Sequence, residues 1–241
     1  MARRMAGQGR QINLSRRQVA LGLALLPLTG CAPARPDKDV AFIPAKQAKT
    51  LAAANTGRLV ELIKIDPSIR LDMRYATTNN FTGTILYSEA RAFLTAPAAE
   101  AVVRASRTAR AEGYGLTIFD AYRPWRVTKK LWDATPVGPK KNYVANPKRG
   151  SKHNRGCAVD LSLHDLATGE LVEMPTGFDD FSEKAHRDYM GAGALAIENR
   201  ARLQRYLEAE GFVGLSNEWW HFDFTGWEKF PVLDIPFDKV G

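Results

Sequence analysis

Four side chains carry the chemistry this sequence offers: His153, Asp160, Glu218 and His221. Neutral imidazole and carboxylate are both good zinc ligands, at ~2.0–2.2 Å. The first two stand in Ser151-Lys152-His153-Asn154-Arg155-Gly156-Cys157-Ala158-Val159-Asp160. Their separation is odd, so one ideal strand would point them to opposite faces. The Asn154-Arg155-Gly156 stretch supplies a bend that lifts this restriction. The segment therefore reads as a turn entering a strand, with a ligand on each side of the turn. Glu218 and His221, in Glu218-Trp219-Trp220-His221-Phe222-Asp223-Phe224, are also separated by an odd number. Glu218 is expected at the head of a strand, after the turn Gly214-Leu215-Ser216-Asn217, with His221 on the strand itself.

Three protein ligands and an open position make the arrangement of a catalytic zinc site. His153, Asp160 and His221 are the expected ligands, with Glu218 beside the metal but not on it. In such a site the pKa of bound water falls toward ~7, and a nearby carboxylate can take the proton. The HExxH helix pattern is absent. Taken singly, His221 also reads as a hydrogen-bonded core histidine, and one His-x6-Asp spacing is a weak signal.

These residues need a scaffold. Strands are expected over 59–65, 116–119, 157–163 and 219–224, and Ile69, Leu71, Met73 and Tyr75 alternate with Arg70, Asp72 and Arg74 at a period of two. A helix is expected over 96–112, with Thr95 as N-cap, Pro97 in its first turn and Gly113 closing it. Further helices are expected over 125–132 and 192–210, the latter stopped at Gly211. Residues 79–83 read as a loop, and the polar stretch 133–150 as a long surface loop. Strands and helices mix without a βαβ rhythm. The expected fold is a single α+β domain with a central, largely antiparallel sheet flanked by helices. His164 and His186 read as surface histidines, Glu183 and Lys184 as a solvated pair, and Trp219 and Trp220 as core and pocket wall.

The N-terminal residues read differently. Arg3, Arg4, Arg10, Arg16 and Arg17 make a positive region without an acid, followed by the short apolar run 19–28. That run is too short for a bilayer span but fits an export signal. Arg16-Arg17 resembles a twin-arginine signal, and Leu28-Thr29-Gly30-Cys31 resembles a lipobox that would place a lipid on Cys31. The expected organisation is an export signal with lipobox over 1–31, an Ala-, Pro- and Lys-rich tether over 32–56, and the domain over 57–241. The destination is then the periplasm, with Cys31 as membrane anchor. Removing the leader takes Lys plus Arg from 34 to 29 against 26 acids. The remaining excess of about three positive charges, with no basic stripe among exposed aromatics, argues against a nucleic-acid partner. Besides Cys31 only Cys157 remains, so no disulfide forms within the mature chain and the fold rests on its core. Cys157 itself reads as a small buried residue pointing away from the metal.

The set S-x-H-x-x-G-x-A-x-D at Ser151–Asp160 with E-W-W-H at Glu218–His221 resembles the D-alanyl-D-alanine dipeptidases, zinc peptidases known from vancomycin resistance. They belong to a wider group with D-Ala-D-Ala carboxypeptidases and the hedgehog N-terminal domain. Tyr75-Ala76-Thr77 with Asn80-Phe81-Thr82-Gly83, Gly113-Tyr114-Gly115-Leu116 leading to Asp120-Ala121-Tyr122-Arg123-Pro124, Thr168-Gly169-Glu170-Leu171-Val172, Phe178-Asp179 and Asn199-Arg200 agree with it. The likeness covers residues 59–225. It implies one Zn2+ on His153, Asp160 and His221, Glu218 as general base and later proton donor, and Arg123 on the oxyanion. It also implies Asp179, with Tyr87, at the substrate ammonium, and Ser151 near the dipeptide's other end. A carboxypeptidase acting on peptidoglycan stem peptides and a non-catalytic zinc-binding envelope domain are the alternatives.

Overall fold

The computed structural model describes residues 57–240. The expected leader, its Cys31 and the tether lie outside the described residues. The elements, in chain order, are β1 (Leu59–Glu61), α1 (Leu62–Ile65), β2 (Arg70–Leu71), β3 (Phe93–Thr95), α2 (Ala96–Ala111) and β4 (Tyr114–Asp120). They continue with α3 (Trp125–Ala134), β5 (Ala158–Asp165), α4 (Ala194–Glu208), β6 (Phe212–Gly214) and β7 (His221–Phe224). Five strands form the main sheet in the order β2-β4-β5-β7-β6. Only β2 and β4 run parallel; every other neighbouring pair is antiparallel. β1 and β3 make a separate antiparallel ribbon. This is the expected α+β architecture.

β4 and β5 are the centre of the sheet, and their sequences explain it. Leu116, Ile118, Leu161 and Leu163 are fully buried, as are the intervening Thr117, Val159 and Ser162. Both faces are therefore covered. α2 supplies one cover through Ala98, Ala99, Ala101, Val102, Ala105 and Ala109, all without exposure. Small side chains along that face let the helix lie close to the sheet and give up most of their water-accessible area, at ~25 cal/mol per Å². Pro97 occupies the first turn of α2, where a missing amide costs no hydrogen bond. Gly113, at φ 89°, ends the helix in the left-handed region.

Thr95 holds the N-cap position of α2 but makes no capping bond. Its hydroxyl (3.2 Å) and its amide (2.8 Å) both donate to the carbonyl of Gly156. The end of β3 thus fastens the turn between His153 and Asp160.

Several local expectations differ from the structure. Of 59–65 only the first three residues are extended. Leu62–Ile65 form a helical turn that buries Leu62 and leaves Ile63 and Ile65 more than a third exposed, a one-sided pattern that suits a turn. The alternation over 69–75 describes burial correctly for Ile69, Met73 and Tyr75, but only Arg70 and Leu71 pair in the sheet. β3 and β6 span three residues each, too short to show a period. Trp219 and Trp220 lie in the turn before β7, which starts at His221. Both are buried, as expected. The surface loop contains a 3-10 turn, Pro139–Tyr143.

His164 is not a surface residue. It is 8% exposed, and its Nδ1 lies 2.9 Å from the Thr117 hydroxyl. The reason is its cross-strand partner Gly115: a Cβ there would stand 2.3 Å from the imidazole, so the glycine makes the ring's space. His186 is partly covered, with Nε2 3.1 Å from the Tyr143 hydroxyl.

Register then builds the site. In the main sheet Asp160 of β5 sits directly opposite Asp120 of β4 and His221 of β7. Three side chains from three strands form one transverse row. His153 joins them from a 3-10 turn, His153–Arg155, closed by Gly156 at φ 65°. A Cβ at Gly156 would lie 2.4 Å from Leu59 Cδ2 and 3.1 Å from the Thr95 amide. Gly156→Ala should therefore destabilise the domain by roughly 1–3 kcal/mol through overpacking, on top of left-handed strain. A denaturation midpoint equal to wild type would show that the turn absorbs the methyl group.

Candidate active site

His153, Asp160 and His221 each present one ligand atom, and these atoms lie within 4.8 Å of one another. His153 Nε2 is 3.2 Å from His221 Nδ1 and 3.3 Å from Asp160 Oδ2; His221 Nδ1 is 2.9 Å from Asp160 Oδ1. A tetrahedron with ~2.0–2.1 Å bonds has ligand edges of about 3.3 Å. The spacing therefore suits one small divalent ion.

The remote nitrogens are already engaged. His153 Nδ1 lies 2.7 Å from the Ala121 carbonyl, and His221 Nε2 lies 2.9 Å from Asp223 Oδ1. Such partners fix which nitrogen faces a metal and raise its basicity. Lys152 in turn sits 3.0 Å from Asp223. Asp223 is thus a partner of the ligand set that is not among the residues expected from the sequence. The signal was available: it lies two residues after His221, on the same face of a strand.

The electrostatics also call for a cation. Asp120, Asp160 and Glu218 are all at least nine-tenths buried. Burial works to raise Asp160, yet the two imidazoles beside it hold its carboxyl well below the usual range. Burial also opposes charge on His221, but Asp160 and Asp223 push it up to about 10. A ring wedged between two carboxylates favours a positive charge at this point, which a bound metal ion would supply. Donor types, spacing and charge all fit zinc on His153, Asp160 and His221.

Glu218 stands at the head of β7 as expected, with Oε2 3.9 Å from the ligand nitrogen of His221. Burial pushes its carboxyl up to about 7. Arg123 is 7% exposed. Its Nε and Nη2 donate to Asp120 Oδ2 at 2.9 and 2.7 Å, and Nη2 is 3.9 Å from Asp160. Its backbone is tied to the His153 turn, because its amide donates to the His153 carbonyl and its own carbonyl accepts from Asn154 Nδ2. The guanidinium-bearing residue and the His153 turn are thus fastened to each other.

These groups line one cavity of about 590 Å³, together with Asp179, Ser151, Tyr75 and Phe181. Ser151 Oγ accepts from the His153 amide at 3.2 Å. Asp179 adopts φ 59°, a left-handed backbone uncommon outside glycine. Burial, then the charges of Asp160 and Glu218, raise its carboxyl well above the ordinary range. Its partner is Tyr75, whose hydroxyl donates to it at 3.0 Å.

Tyr87, expected beside Asp179, is elsewhere. It does not line this cavity; its hydroxyl donates to Asp120 Oδ1 at 2.6 Å. The two tyrosines are neighbours, with ring centroids 5.8 Å apart, and the Leu86 and Tyr87 amides both donate to the Tyr75 carbonyl. The resemblance puts only Tyr87 beside Asp179, whereas the fold assigns Tyr75 to Asp179 and Tyr87 to Asp120. Cys157 is fully buried and 3.7 Å from the Thr95 hydroxyl, outside the metal cluster.

A single-ion cluster with an adjacent buried acid and a fixed guanidinium, at the centre of an α+β sheet, defines a metallohydrolase-type centre. The comparisons give the family. Residues 55–235 match the model of the D-ala-D-ala dipeptidase family, and the chain belongs to that family. A D-alanyl-D-alanine dipeptidase of Escherichia coli (strain K12) is 36% identical over 76% of this chain and 93% of its own. A second, of Enterococcus faecium, is 37% identical over 73% and 96%. A third, of Streptomyces coelicolor (strain ATCC BAA-471 / A3(2) / M145), is 32% identical over 76% and 98%.

Glu218→Ala should leave one zinc per chain but lower turnover by ~10²–10⁴, the usual worth of a general base. Parallel metal analysis and single-substrate kinetics check this. Loss of the metal would make Glu218 a ligand instead.

Proposed function

We propose that this protein is a zinc-dependent dipeptidase that hydrolyses D-Ala-D-Ala to two D-Ala in the cell envelope. The observation that carries the reading is the placement of Asp179, held by Tyr75, in the same cavity as the metal ligands, Glu218 and Arg123. A metal site with a base and an oxyanion cation can hydrolyse many amides. A buried carboxylate beside it selects a substrate with a free ammonium group.

The division of labour follows from position. His153, Asp160 and His221 would hold zinc, which when bound would supply a Lewis acid for the scissile carbonyl and lower the pKa of a water there. Glu218 accepts the proton of the attacking water and passes it to the departing amine as the C–N bond breaks. Arg123, fixed by Asp120, meets the negative charge that develops on the carbonyl oxygen, where a preorganised cation is most effective. Asp179, held by the Tyr75 hydroxyl, pairs with the substrate's ammonium group. Ser151, beside His153, faces the substrate near its carboxylate end.

The same pairing limits length. An acylated amine leaves Asp179 buried without a cation, and desolvating an unmatched group is expensive. N-acylated D-Ala-D-Ala should be a poor substrate, and Asp179→Ala should lower kcat/KM for the free dipeptide by roughly 10²-fold, ~3 kcal/mol, with zinc content unchanged. Efficient cleavage of the acylated analogue would favour the carboxypeptidase reading.

The envelope assignment is supported by the N-terminal sequence, with its arginines, its apolar run and the Leu28–Cys31 lipobox. Among the described residues no helix is long and apolar enough to cross a membrane, so a lipid on Cys31 is the proposed means of attachment. In a fractionated host, the wild-type chain should partition with membranes and Cys31→Ser should appear in the soluble periplasmic fraction. Equal partition of the two would remove the anchor.

A further inference from the structure

We infer that Arg187 is a positioning residue for the reaction: it clamps the turn that carries Glu218 and His221, and so sets where the base stands. The inference rests on the hydrolytic reading above.

Arg187 lies outside every element that bears a ligand, yet its guanidinium reaches three carbonyls of one turn. Nε donates to Leu215 O at 2.9 Å, and Nη2 donates to Trp219 O at 3.1 Å and His221 O at 3.0 Å. Its backbone amide donates to Ser216 O at 2.9 Å. The gripped carbonyls flank Glu218 on both sides, which leaves the Glu218 side chain to face the cavity. The neighbouring Ala185 carbonyl accepts from the Trp219 amide at 3.0 Å, so the 185–187 segment and the turn are laced together.

Two further observations show that the space is shaped for a guanidinium. Arg187 Cζ sits 4.2 Å from the centroid of the Phe222 ring, a cation–π contact that favours a flat cation over an ammonium. A Cβ at Gly214 would lie 2.1 Å from Arg187 Cζ and 2.4 Å from its Nε, so glycine at 214 makes room for the fork. Its third nitrogen, Nη1, is buried and has no hydrogen-bond partner within the protein. Only a planar, forked donor reaches carbonyls on both sides of a turn at once. Lysine carries charge and donors but no fork.

The test uses Arg187→Lys and, from the opposite side of the contact, Gly214→Ala. Wild type and Glu218→Ala are assayed beside them on free D-Ala-D-Ala. Displacing a base by about an ångström can cost on the order of 10²-fold in rate, so kcat should fall by that amount with KM within about threefold and zinc content intact. Amide exchange over residues 215–221 should quicken in both variants. Gly115→Ala, which crowds His164 away from the site, is the control: it should lower the melting temperature and keep kcat.

The inference is overturned if folded Arg187→Lys keeps wild-type kcat and exchange. It is equally overturned if the loss appears in KM, or if Gly115→Ala loses kcat to the same extent. Should Arg187→Lys not fold, Gly214→Ala decides by the same readings. If wild type itself leaves D-Ala-D-Ala intact, the functional reading fails, and the exchange measurement alone decides whether Arg187 holds the turn.

Discussion

The structure depends on bringing several carboxylates together out of water. Asp160, Glu218 and Asp179 line one cavity, Asp120 is buried behind Arg123, and Asp223 stands behind His221. Buried negative charge is tolerated only where donors or cations answer it. Four of them have a close answer: Arg123, Tyr87 and a backbone amide for Asp120, the two imidazoles for Asp160, Lys152 and His221 for Asp223, and Tyr75 for Asp179; Glu218 has only His221, at 3.9 Å. A cation at the centre completes the set.

That arrangement explains why the sheet centre is so densely built. β4 and β5 are covered on both faces, so the Asp120–Asp160–His221 row cannot shift without moving the core. The antiparallel register sets spacing across the row, and the Gly156 turn, fastened by Thr95, brings His153 over its end. Arg123 is bonded to the same turn. The parts that must act together share backbone hydrogen bonds, which is how preorganisation is built without a large domain.

By contrast, the cavity residues Asp179 and Tyr75 come from less regular chain. Asp179 sits in a turn with positive φ, and Tyr75 in a short 3-10 turn. The aromatic contacts Phe81–Phe181, Tyr143–Phe181 and Tyr75–Phe178 hold these segments to one another. The metal ligands are carried by the sheet and the turn beside it, and the opposite wall of the cavity by packed loops. Loops of this kind can change what is recognised while the row beneath them stays fixed.

The sequence by itself determined the ligand types, the bend at Gly156, the place of Glu218 ahead of its strand, the α2 helix with its proline and glycine ends, and the family. These are local facts, written in spacing, turn residues and motif. It did not determine that Tyr75 rather than Tyr87 reaches Asp179, that His164 is buried, that Asp223 orients His221, or that Arg187 grips the turn beneath Glu218. Each of these depends on which residues face one another across strands or loops distant in the chain. Period and propensity say which way a side chain points along its own element; only register and packing say what it meets there.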